Sequence, residues 1–114
     1  MKKLCLIYAN CQGRAINVFL QRSAAFRDRY RTEIVENYLA IRSGADILFN
    51  VLQQADLFIY QPVSARHGIY ATDNLKKHLP LQCITISFPY IYNNALWPLF
   101  EEADKIRGQE VIVQ

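Results

Sequence analysis

At 114 residues, 52% of them apolar and 20% charged, with four glycines and four prolines, the chain excludes a disordered, collagen-like or low-complexity protein. That length buries one core and is too short for a two-domain enzyme. Thirteen Lys and Arg against ten Asp and Glu leave a formal charge of +3, a weak excess that argues against a nucleic-acid partner.

The expected elements alternate between strand and helix. Residues 4–9 are an apolar run of strand length. The run follows Met1-Lys2-Lys3 as in a signal peptide, but it is about six residues long, below the roughly 7–15 of such a segment. Residues 12–30 place Ala15, Ile16, Phe19, Leu20 and Phe26 on one helical face. The basic cluster Arg27-Asp28-Arg29-Tyr30-Arg31 that follows is broken by an acid and reads as a solvated helix end. Residues 34–38 are rich in strand formers. Ser43 offers an N-cap to a helix carrying Ala45, Ile47, Leu48, Val51 and Leu52. Residues 56–60 form a third strand stopped by Pro62. Thr72 or Asp73 caps a short helix through Leu79, which Pro80 ends. Residues 83–88 form a fourth strand stopped by Pro89, and Val111-Ile112-Val113 looks like the start of another.

Apolar strands separated by helices predict a three-layer αβα fold, with a mostly parallel sheet of four to five strands and right-handed crossovers. Residues 1–114 are expected to form a single α/β domain. No charge occurs in residues 79–100, a bilayer-length span that Pro80, Pro89, Pro98 and Asn93-Asn94 interrupt. A buried strand followed by a packed apolar turn is expected there, with no membrane span, and the stretch is a candidate homodimer surface. Three cysteines without a CxxC pair argue against a disulfide framework and a zinc ribbon, and no metal spacing is visible. Cys5 and Cys83 read as small buried hydrophobes. Free thiols point to a reducing compartment, the cytoplasm.

Sites in open α/β sheets form beyond the carboxyl ends of the strands. Three such ends are chemically marked: Asn10-Cys11-Gln12-Gly13-Arg14, Gln61-Pro62-Val63, and Ser87-Phe88-Pro89-Tyr90. Cys11 sits where strand turns into helix. Free N–H groups and the helix dipole there favour a thiolate, the nucleophilic form. The amides of Gln12 and Gly13 are candidate oxyanion donors, Asn10 adds a side-chain donor, and Arg14 a cation. Gly13 allows a substrate close to the backbone. An ordinary buried cysteine in a turn is the competing reading. His67, in the loop after the third strand, is the candidate general base or ligand, with Asp73 the nearest downstream carboxylate. His78 sits near a helix end, where it serves as a surface or capping residue. Ser87 and Tyr90 are candidates to bind a phosphate, hydroxyl or carbonyl. Tyr90, Tyr92 and Trp97 read more simply as a packed aromatic layer. Neither GxxxxGK[ST] nor GxGxxG occurs.

The strings Ala9-Asn10-Cys11-Gln12-Gly13, Tyr60-Gln61-Pro62-Val63 and Ile86-Ser87-Phe88-Pro89-Tyr90 resemble the WcbI family of polysaccharide biosynthesis proteins, over nearly the whole chain up to about Phe100. The resemblance implies a bacterial capsule-biosynthesis acetyltransferase that binds coenzyme A and moves an acyl group from acetyl-CoA to a sugar or polysaccharide precursor. It places Asn10, Cys11, Gln12 and Gly13 at the reactive turn, with Gln61 and Ser87 on the same edge; a role for Cys11 as acyl carrier or polarising group is a hypothesis added to the resemblance. Family proteins are considerably longer, so the chain is expected to match the N-terminal part of their fold.

Three other functions compete. A Cys-phosphorylated phosphotransferase-type carrier shares the length and the cysteine after strand one, but carries Gly, Ser and Thr after it where this chain has Gln-Gly-Arg. A non-catalytic dimerisation or interaction module would use residues 79–100. An SGNH hydrolase would need Ser in place of Cys11 and a late Asp-x-x-His, which the chain lacks.

Overall fold

The computed structural model describes residues 2–44 and 46–90. Its order is β1 (Lys3–Ala9), α1 (Gln12–Leu20), α2 (Ala24–Arg29), β2 (Tyr30–Glu36), α3 (Asn37–Ser43), α4 (Asp46–Leu52), β3 (Leu57–Tyr60), a 3₁₀ segment (Ala65–Tyr70), α5 (Thr72–Lys76) and β4 (Ile84–Ser87). The strands form one parallel sheet in the order β2-β1-β3-β4. The expected three-layer α/β fold is therefore what the described residues form.

Strand periodicity sorts the core into two layers. Leu6 and Tyr8 of β1 join Phe58 and Tyr60 of β3 on one face, packed with Ala40 of α3, Leu48 and Leu52 of α4 and Leu75 of α5. Cys5, Ile7, Ala9, Leu57 and Ile59 point to the other face, against Leu20 of α1 and Phe26 of α2. The connection from β1 to β2 thus crosses one face, while those leading to β3 and β4 cross the other. A single crossover hand requires this when the chain moves outward from β1 in both directions. Leu6, Ile7, Tyr8, Phe58, Leu48, Leu52 and Leu75 are fully buried, each removing from water the equivalent of roughly 1.5–3 kcal/mol.

Several expectations change. The long first helix is two. Gln21 caps the end of α1, and Ser23 starts α2 by accepting the Phe26 N–H on its Oγ at 3.2 Å. Ser43 closes α3 instead of capping the next helix. Gly44 follows at φ +81°, a conformation that favours glycine. α5 stops at Lys76, and no side chain caps it. Thr72 is committed to the preceding loop, where its Oγ1 donates to the Val63 carbonyl at 3.3 Å. β4 is not a buried strand. It lies at the sheet's edge with Ile84 57% and Ile86 49% exposed, because α1 and α2 cover β1 and its β2 side. Cys5 is buried as expected, but Cys83 is only partly so. The basic cluster is solvated, with Arg27 donating to the Gln21 carbonyl and Arg31 lying 3.9 Å from Glu33.

The expected strand at 111–113, the layer residues Tyr92 and Trp97, and the second part of the candidate dimer stretch, residues 91–100, lie outside the described residues. Among the described residues no helix is long and apolar enough to cross a membrane, and no group of His, Cys, Asp and Glu is placed to hold a metal ion.

Candidate functional site

The chain leaves β1 first to one side and then to the other, so the sheet's topological switch point lies between β1 and β3. The carboxyl ends of those strands, Asn10-Cys11 and Gln61, meet there. Gln61 is fully buried, and its carboxamide ties the strand ends together. Its Oε1 accepts the Asn10 N–H at 2.7 Å. Its Nε2 donates to Gln12 Oε1 at 2.6 Å and to the Pro89 carbonyl at 3.4 Å. A buried amide with both ends satisfied is a rigid brace, and removing it strands its partners.

The turn at Asn10 is closed by Asn10 itself. Its Oδ1 accepts the Gln12 N–H at 2.8 Å and its carbonyl the Gly13 N–H at 3.0 Å. These two amides are therefore committed within the turn, which corrects their expected role as oxyanion donors. Gly13 serves close packing. A Cβ there would meet Ala9 Cβ at 3.1 Å and Ile7 Cγ2 at 3.2 Å, so glycine lets α1 lie directly on β1. The expected close approach is that of a helix to a strand.

Cys11 occupies the cap position of α1 and is exposed. Its thiol and backbone N–H make no hydrogen bond among the described residues. The other thiols contrast with it. Burial pushes Cys5 up to about 12, and Cys83 is raised by burial and by the Asp56 carboxylate. Both remain protonated at neutral pH, when a thiol reacts poorly.

Two cavities open at this end of the sheet. The first, about 300 Å³, is lined by Asn10, Cys11, Arg14, Ile34, Glu36 and Leu39. The second, about 200 Å³, is lined by Tyr38, Pro62, Val63, Ser64, Arg66, His67 and Tyr90. The structure thus brings Asn10, Cys11 and Arg14 together, and separately His67 and Tyr90. His67 lines the second cavity, where its Nε2 accepts from Arg66 Nε at 3.3 Å, and it is not among the residues around Cys11. Gln12 and Gln61 lie beneath as buried supports. Ser87 is exposed at the end of β4, in register with Tyr60, and lines neither cavity.

Two residues here escaped the sequence reading. Glu36, the last residue of β2, lines the same cavity as Cys11. Asn37 is fully buried. Its Nδ2 donates to Tyr90 Oη at 2.8 Å, and its Oδ1 has no partner among the described residues. Placing β2 at 34–38 hid both, since it put them inside the strand instead of at its carboxyl end.

The profile of the polysaccharide biosynthesis enzyme WcbI matches residues 4–112. The chain belongs to the WcbI family. A solved WcbI structure superposes with a TM-score of 0.73 at 24% identity, covering 86% of this chain and 33% of that one. This chain therefore spans about a third of that protein's length. That protein is described as a novel polysaccharide biosynthesis enzyme, in its native form without a disulfide bond between coenzyme A and a cysteine. No curated protein matches the chain. The WcbI match agrees with the fold and with the segment carrying the braced turn.

Proposed function

We propose that the carboxyl end of this sheet is the acyl-donor site of a WcbI-type transferase, moving an acetyl group from acetyl-CoA to a hydroxyl of a capsular or surface sugar. The observation that carries this reading is Cys11: an exposed thiol without a hydrogen-bond partner among the described residues, at a turn held to the switch point by a fully buried amide. The surrounding cavity fits such a donor. Exposed Ile34 and Leu39 offer an apolar wall for a pantetheine arm, and Arg14 a cation for its phosphates. The solved WcbI structure is described as a form without a disulfide bond between coenzyme A and a cysteine, which names the two together. Coenzyme A, when bound, supplies the activated acyl carbon as a thioester.

The chain's own groups divide the remaining work. Cys11 positions or polarises the acyl carbonyl, and its N–H is available to a developing oxyanion, since those of Gln12 and Gly13 are taken. Glu36 stands where it can accept the proton of the attacking hydroxyl. A C–O bond forms, the C–S bond breaks, and the proton ends on the departing thiol. His67 and Tyr90 face the acceptor in the neighbouring cavity. Three free cysteines suit the cytoplasm, where such a thioester is kept.

Calorimetric titration of the folded chain with coenzyme A tests the reading. Binding is expected, with weaker binding by Cys11→Ala. A folded sample that takes up no coenzyme A overturns it.

A further inference from the structure

The second cavity has a composition unlike the first. Its walls hold two tyrosines, Tyr38 and Tyr90, with ring centroids 6.3 Å apart at 35°. Ser64 adds a hydroxyl that does not cap the following 3₁₀ segment. Arg66 is exposed, and among the described residues no carboxylate pairs with it. Its Nε donates to His67 Nε2 at 3.3 Å, which leaves the outer guanidinium nitrogens for a ligand. Beneath lies buried Asn37, whose Nδ2 donates to Tyr90 Oη at 2.8 Å and so fixes the tyrosine on the cavity wall.

Aromatic faces accept the C–H surface of a sugar ring, and a few placed polar groups read its hydroxyls. A planar guanidinium free of acidic neighbours selects a carboxylate or phosphate. The volume, about 200 Å³, falls below the roughly 300–1,000 Å³ of pockets for drug-sized ligands. It suits one sugar ring, not a nucleotide. Position agrees: Pro62 on its wall follows Gln61, whose amide holds Asn10 on the wall of the Cys11 cavity, and consecutive residues Tyr38 and Leu39 line the two cavities respectively.

We propose that this cavity binds a single sugar ring bearing an anionic group, and that the sugar acceptor is therefore a uronate or a phosphosugar. The proposal rests on the acyl-transfer reading for what happens to the sugar, but the sugar's binding is measured without coenzyme A. Full chain is titrated by ligand-observed NMR with glucuronate, glucose 1-phosphate, glucose and inorganic phosphate. At least one anionic sugar is expected to bind about tenfold more tightly than glucose, the size of one good charge-assisted contact. The tighter of the two identifies the anionic group. Arg66→Gln should erase that preference, and Tyr38→Ala should weaken charged and neutral sugars alike. Both side chains are exposed, and circular dichroism verifies that the variants fold. Equal affinity for charged and neutral sugars, inorganic phosphate binding as tightly as the sugar phosphate, or no sugar binding overturns the proposal. A coenzyme A titration of the same sample reports on the Cys11 site separately, so the two readings fail independently.

Discussion

The amino and carboxyl ends of the same sheet handle polar groups in opposite ways. At the amino end, Lys3, Asp28, Arg29 and Tyr30 line the larger cavity, about 390 Å³. Its charged side chains come from strand starts and the last turn of α2, and they lie in solvent. At the carboxyl end the cavities are smaller, about 300 and 200 Å³, yet fully buried Gln61 and Asn37 support them. Burying an amide is unfavourable unless it is satisfied, so a fold that buries two at one end is holding something in place there. Among these three cavities, volume favours the amino end, while fixed polar groups at the switch point favour the carboxyl end.

Breaking the brace should have the largest effect. Gln61→Leu keeps the volume but removes the acceptor of the Asn10 N–H and a donor to Gln12 Oε1. Urea unfolding should show a loss of about 3 kcal/mol, and hydrogen exchange at the 10–13 turn should speed up.

A second test compares Cys5 with Cys11, one buried within β1 and the other exposed just beyond it. The folded Cys5 thiol is raised from 9.0 to about 12 by burial. Between those values the unfolded chain has lost a proton that the native chain keeps. Stability is thus fully present below pH 9 and declines as pH rises toward 12, by up to about 1.4 kcal/mol per pH unit for this group. Burial also raises Cys83 and Tyr8, which act with the same sign. Cys5→Ala should flatten the alkaline slope in denaturant titrations, and iodoacetamide should label Cys11 before the other two.

Gly13→Ala asks how tightly the turn is seated. The helix gains about 1 kcal/mol of propensity, but the new methyl presses on two core atoms of β1 that have little room to give. Such overpacking costs roughly 1–3 kcal/mol, so a net loss of about 1 kcal/mol is expected in thermal unfolding. At the amino end, Lys3→Gln and Arg29→Gln should stay within about 0.5 kcal/mol and leave coenzyme A titrations unchanged.

Much of the fold was legible because burial acts on short apolar runs. The runs at 4–9 and 56–60 became β1 and β3, the two strands buried from both faces. Cys11 and Gln61 were marked as strand-end residues, and the sheet order brings them together. What the sequence concealed depended on tertiary placement. The apolar spacing of α1 runs on to Phe26, so the break at Gln21–Ser23 left no trace in the pattern. β2 begins Tyr30-Arg31-Thr32, polar enough to look like a helix end. Parallel pairing with β1 recruits it regardless, which moves Glu36 and Asn37 to the strand's carboxyl end. That Gln61 supports the turn from beneath, and that His67 lines another cavity than Cys11, are facts of packing that spacing does not encode.

The most direct test of the central claim is the response of backbone amide NMR signals to coenzyme A. The account predicts shifts at residues 10–14 and 34–39 around the Cys11 cavity, with Lys3 and residues 28–30 at the other end unmoved. Shifts confined to the amino-end cavity, with the Cys11 turn silent, would contradict it.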